Sequence, residues 1–166
     1  MGRTDSGELI KAVRRKIGIA RYHLDRLREA LVEDPPSIEQ QAHFEGVLLS
    51  IEAARWQANS VVINARRAGT LLRAEDEFDG WTGRTIARDL RDVRNAAAHG
   101  WYSKAAGVWK PTGSSYEGSR ELVAYCAAAV NHLEELGRIV ESLETELGVH
   151  VGRVGLLPEA VPASQK

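Results

Sequence analysis

Phe44, Val47, Leu48, Ile51, Ala54, Ala58, Val62 and Ala65 recur at three- and four-residue steps. That spacing puts side chains on one side of an α-helix, whereas a strand needs a step of two. Two other stretches repeat the pattern. Leu9, Val13, Ala20, Leu24, Leu27 and Leu31 share a face over about residues 6–33. Leu122, Cys126, Ala129, Leu133, Leu136, Val140, Leu143 and Leu147 share one over Ser119–Leu147. No convincing run of alternating strand residues competes. Helices with one apolar face each must bury those faces against one another. The predicted fold is therefore all-α: an antiparallel four-helix bundle with a long loop between its third and fourth main helices.

Local signals set the boundaries. Asp5 followed by Glu8 has the spacing of a capping box, and Pro35 and Pro36 end the first helix. Ser37 and Gln40 form a second capping box, which opens a helix reaching about Arg67, before Gly69. Residues 74–80, AEDEFDG, are acidic and read as a loop. A third helix is predicted over about 82–99, with Ile86, Leu90, Val93 and Ala97 buried and Gly100 as the stop. Residues 101–117 lack a helical period and read as a long aromatic-containing loop with room for a short hairpin. Gly148 ends the last helix, so residues 1–148 form one domain and 149–166 an extended or partly disordered tail.

Composition narrows the function classes. In 166 residues, 43% are hydrophobic and 27% charged, as in an ordinary globular domain. The formal net charge is −1, so attraction to nucleic acid has to come from a local patch. A single cysteine, Cys126, rules out an intrachain disulfide framework and fits a reducing cytoplasm. It lies in an apolar stripe and reads as a small core residue. No apolar run is long enough to span a bilayer, and the charged N-terminus lacks the apolar block of a signal peptide. The expected location is cytoplasmic. His23, His43 and His132 lie on different helices, and no Glu-x-x-His pair occurs, so no metal site is expected. GVWKPTGSS lacks the ending of a phosphate-binding P-loop, and no cofactor is implied. Arg55 sits inside an apolar stripe and reads as a core-edge cation paired with a carboxylate or reaching outward. Trp56 falls opposite the stripe, suited to a dimer contact or to packing under the long loop.

Chemistry concentrates in RDVRNAAAHGWY, residues 91–102. Arg84, Arg88, Arg91, Asn95 and His99 line up opposite the buried stripe of the third helix, with Arg94 at the border. Residues 84–104 set Arg84, Arg88, Arg91, Arg94 and Lys104 against Asp89 and Asp92, a local positive surface able to attract a phosphate backbone. The alternative is a solvated helix face with Asp–Arg pairs. Trp101, Tyr102, Trp109 and Tyr116 either stack on unpaired bases beside that face or cover the end of the bundle.

Arg94-Asn95-Ala96-Ala97-Ala98-His99 resembles the signature of the HEPN superfamily, an arginine followed four to six residues later by a histidine, with a polar residue such as asparagine in second place. The resemblance spans roughly residues 6–147, although only the hexapeptide is specific. It implies a metal-independent endoribonuclease acting as a homodimer. Relatives include toxins restrained by an antitoxin and antiphage effectors, and others are non-catalytic modules binding a nucleotide, RNA or a protein partner. The HepT-like branch has a tyrosine two residues after the histidine. Here Trp101 holds that place and Tyr102 follows.

The residue types suit RNA cleavage by the 2′-hydroxyl. His99 would transfer protons, since the reference pKa of histidine, about 6.5, lies near working pH. Arg94 would clamp phosphate through its planar fork of donors. Asn95, one turn away, would orient His99. Arg84, Arg88, Arg91, Lys104, Trp101 and Tyr102 are the candidate RNA-binding residues. On a regular helix Arg94 and His99 stand about 140° apart. Either the helix unwinds near Gly100, or two copies meet through it and the groups converge across a two-fold axis. The second arrangement also supplies two histidines, one as base and one as acid.

Overall fold

In a computed structural model of the chain, residues 5–29, 38–84, 102–105, 108–111 and 119–149 are described. They form α1 (Ser6–Glu29), α2 (Ile38–Arg67), α3 (Ala74–Arg84), β1 (Tyr102–Ala105), β2 (Val108–Pro111) and α4 (Ser119–Leu147). Apart from the β1–β2 hairpin, the regular structure described is helical. The hairpin lies within the segment read as a loop and is antiparallel, with Tyr102 opposite Pro111 and Lys104 opposite Trp109.

The helix ends show how local chemistry cuts the chain. The Gly7 N–H donates to Asp5 Oδ1 at 3.1 Å, capping α1. The predicted reciprocal half of the capping box is absent, because Glu8 turns to Lys11 Nζ at 2.7 Å instead. α2 and α4 both stop at a glycine of positive φ, 75° at Gly69 and 63° at Gly148. In each case the next residue reaches back five positions, Thr70 N–H to the Ala65 carbonyl at 3.0 Å and Val149 N–H to Glu144 at 2.9 Å. This is the left-handed closure that glycine makes without steric cost. Val149 packs against the core; residues 150–166 lie outside the described set.

Residues 74–80, expected to be a loop, are the first turns of α3. Three effects make them helical. The backbone N–H groups of Arg73 and Ala74 donate to the Glu146 carboxylate of α4, at 2.8 and 3.1 Å. Glu75, Asp76 and Glu77 occupy the first turn, where the helix dipole favours negative charge. Ala74, Phe78 and Trp81 bury one face. α3 ends at Arg84, so only 82–84 of the predicted third helix is described, and 85–99 lies outside the described residues.

The core is one cluster drawn from all four described helices. α1 packs along α2, both meet α4, and α3 and β2 also rest on α4. Trp81, Phe44 and Phe78 are the largest fully buried side chains among the described residues. The Trp81 indole N–H donates to the His132 carbonyl at 3.0 Å, and its ring stacks on Phe78 with centroids 6.0 Å apart. At the edge of the core Arg14 of α1 grips Glu144 of α4 through two bonds of 2.5 and 2.6 Å. Among the described residues no helix is long and apolar enough to cross a membrane.

Candidate functional site

The segment carrying the arginine–histidine motif is bounded by α3, which ends at Arg84, and β1, which begins at Tyr102. α3 rests on α4, and so does β2, the hairpin partner of β1. Both flanks are therefore tied to one helix. Arg88, Arg91, Arg94, Asn95, His99 and Trp101 lie outside the described residues. Tyr102 and Lys104 occupy alternate positions of β1.

Arg84 is the predicted RNA-binding cation whose side chain is described. It is exposed and ion-paired with Glu135 of α4. The groove beside it, about 250 Å³, is lined by Asp76, Glu77, Arg84, Glu135 and Arg138. It carries charges of both signs. A phosphate docking on Arg84 would exchange one anionic partner for another, so its binding gain is the difference between two charge-assisted pairs.

The structure brings together two histidines that periodicity places on separate helices. His23 Nδ1 of α1 and His43 Nδ1 of α2 are 2.9 Å apart. Tyr22 meets both rings edge-on, with centroids 5.4 and 6.1 Å away, and the Arg26 guanidinium lies over Tyr22 at 5.8 Å. Glu39 approaches the other edge of His43, 3.6 Å from Nε2. Two nitrogens face each other, but the carboxylate is across the ring. Among the described residues no group of three or more His, Cys, Asp or Glu side chains is placed to hold a metal ion. The geometry is that of a hydrogen bond, in which one imidazole donates and the other accepts.

That bond requires at least one neutral ring. Burial lowers the His23 pKa below its ordinary value, and the charge of protonated His43 lowers it further. Neutral His23 thus contributes stability that is complete above about pH 6.5, its unfolded value, and is lost as pH falls through the lower folded value. The urea midpoint is expected to drop between about pH 7.5 and 5.5, with a smaller drop in His23→Phe. Equal drops in the two proteins would exclude the pair as the cause.

Gly46 is the signal that sequence reasoning passed over. A Cβ there would sit 2.5 to 2.7 Å from three atoms of the His23 ring. Glycine inside a helix costs about 1 kcal/mol relative to alanine, and here that cost makes room for the imidazole. Gly46→Ala is therefore expected to lower the unfolding midpoint, opposite to helix propensity, and to disturb the His23–His43 contact seen by imidazole NMR.

Three other readings meet the structure directly. Arg55 pairs with Glu52 at 2.7 Å and is partly buried, as its place at the core edge implies. Trp56 is 59% exposed, on the side of α2 away from the core. Cys126 is buried, which pushes its thiol up to about 11. It therefore stays protonated near neutral pH and is a poor nucleophile.

Comparison with protein-family models, with curated proteins and with solved structures gave no match to this chain.

Proposed function

We propose that the protein is a HEPN-type, metal-independent endoribonuclease, folded as an antiparallel four-helix bundle and working as a cytoplasmic homodimer. The observation that carries this reading is the hexapeptide Arg94-Asn95-Ala96-Ala97-Ala98-His99. The helical character of the described residues and the excess of arginines around the motif support it. The reading makes the protein a toxin or phage-defence effector restrained by an antitoxin or regulatory partner.

In this mechanism an RNA 2′-hydroxyl attacks the adjacent phosphorus. A His99 imidazole accepts the hydroxyl proton, and a second His99, from the other copy, returns a proton to the departing 5′-oxygen. The P–O5′ bond breaks, leaving a 2′,3′-cyclic phosphate and a 5′-hydroxyl. Arg94 stabilises the charge that builds on the phosphorane. Asn95 is a positioning residue for the imidazole. Arg84, Arg88, Arg91 and Lys104 hold the backbone, and Trp101 and Tyr102 stack on unpaired bases.

The test is incubation of the full-length protein with single-stranded RNA in excess chelator, with product ends identified by mass spectrometry. Cyclic phosphate ends support the reading. RNA binding without cleavage replaces it with the non-catalytic, nucleic-acid-binding form of the same fold.

A further inference from the structure

α2 is apolar on two sides. The inner side, including Phe44, Val47, Ile51, Ala58 and Val62, is in the core. The outer side still carries Leu49, 61% exposed, and Trp56, 59% exposed. At about 100° per residue, Glu45, Leu49, Trp56, Ile63 and Arg67 fall within a strip only about 40° wide and about 33 Å long. Glu45 and Ile63 are partly exposed and Arg67 is exposed.

The strip is symmetric about its middle. Leu49 lies seven residues before Trp56 and Ile63 seven after it; Glu45 lies eleven before and Arg67 eleven after. Turn a second copy end over end about a two-fold axis at Trp56. Tryptophan then meets tryptophan, Leu49 meets Ile63, and Glu45 meets Arg67 at both ends. Self-complementarity of this kind, residue i on j and j on i, is what a two-fold contact demands. The centre is also prepared for docking. The Arg55 guanidinium lies 5.4 Å over the Trp56 ring. Arg55 is held in turn by Glu52 at 2.7 Å. A side chain already held loses less freedom on association, and tryptophan and arginine are enriched among the residues that carry interface binding energy.

We infer that the outer face of α2 is a self-association surface on which two copies of this chain pair antiparallel across a two-fold axis at Trp56. The inference is drawn from α2 alone; a homodimer paired through the motif segment, as in the ribonuclease reading, would instead be indifferent to Trp56→Glu. One helical seam with two largely exposed apolar anchors is small beside the roughly 800 Å² per partner of a standard interface. The dimer is therefore concentration-dependent.

Sedimentation velocity on the full chain tests this without RNA. The parent is expected to show a monomer–dimer equilibrium within a series reaching roughly 100 µM. Trp56→Glu is expected to raise the dissociation constant at least ~30-fold, the effect of a central anchor. Its helix content and unfolding midpoint, measured on dilute monomer, should hold because the side chain is exposed. Glu45→Arg and Arg67→Glu should each weaken the dimer, since each places like charges at both ends. Mixing the two variants should restore pairing, because each end of the mixed pair joins unlike charges again. Monomer throughout the series, a dimer indifferent to Trp56→Glu, or a mixture no tighter than its components would each overturn the inference.

Discussion

Replacing His99 with alanine is expected to reduce RNA cleavage by about 10²–10⁴-fold, the usual contribution of a positioned acid–base group. Arg94→Ala is expected to cost about 10²–10³-fold, on the scale of losing one donor to a transition-state oxyanion. Arg94→Lys should recover only part of this. An ammonium keeps the charge but loses the planar pair of donors that matches a phosphate. Asn95→Ala should do less than either, because a positioning residue acts through the imidazole. Its effect should appear as a shifted pH–rate profile with RNA affinity unchanged. The assay is initial rate on a fluorogenic RNA in chelator, with circular dichroism to confirm the helices. Full activity in His99→Ala or Arg94→Ala would remove that residue from the mechanism.

Trp81→Ala is expected to be the most damaging single truncation in the described core. The side chain is fully buried, stacks on Phe78 and donates to the His132 carbonyl. Removing an indole of this kind costs about 3–5 kcal/mol. For a domain of this size that corresponds to a midpoint lower by roughly 10 °C or more. Trp81→Phe separates the two causes. It keeps much of the packing and loses the indole hydrogen bond, worth about 1 kcal/mol. Differential scanning calorimetry at low protein concentration reads both. A Trp81→Ala midpoint within a degree or two of the parent would mean that α3 contributes little to the cooperative unit.

The positions where reading and structure part company have physical explanations. The stripes of α2 and α4, and their stops before Gly69 and at Gly148, were legible because apolar spacing and a left-handed residue are local properties. α3 was not legible at its start. Its cap is Glu146, far along the chain on α4, and no local signal announces a carboxylate arriving from another helix. Glu8 fits a capping box by spacing, yet Lys11 holds it. The His23–His43 contact depends on how α1 lies on α2, and Gly46 is its one trace in the sequence. In the candidate site, Arg94, Asn95 and His99 are known by type and order alone. Arg84 shows what order omits: its partner is Glu135, supplied by a neighbouring helix.

The sequence by itself determined that this chain is mostly helical, which faces of α1, α2 and α4 turn inward, and where its proton-transferring and phosphate-binding residue types cluster. Tertiary structure alone decided which charges pair between helices, which imidazoles touch, and what caps α3. The reason is the range of the interactions. Helix periodicity and capping act over one or two turns of a single segment, whereas burial, the Arg14–Glu144 and Arg84–Glu135 pairs and the His23–His43 contact exist only once separate helices have met.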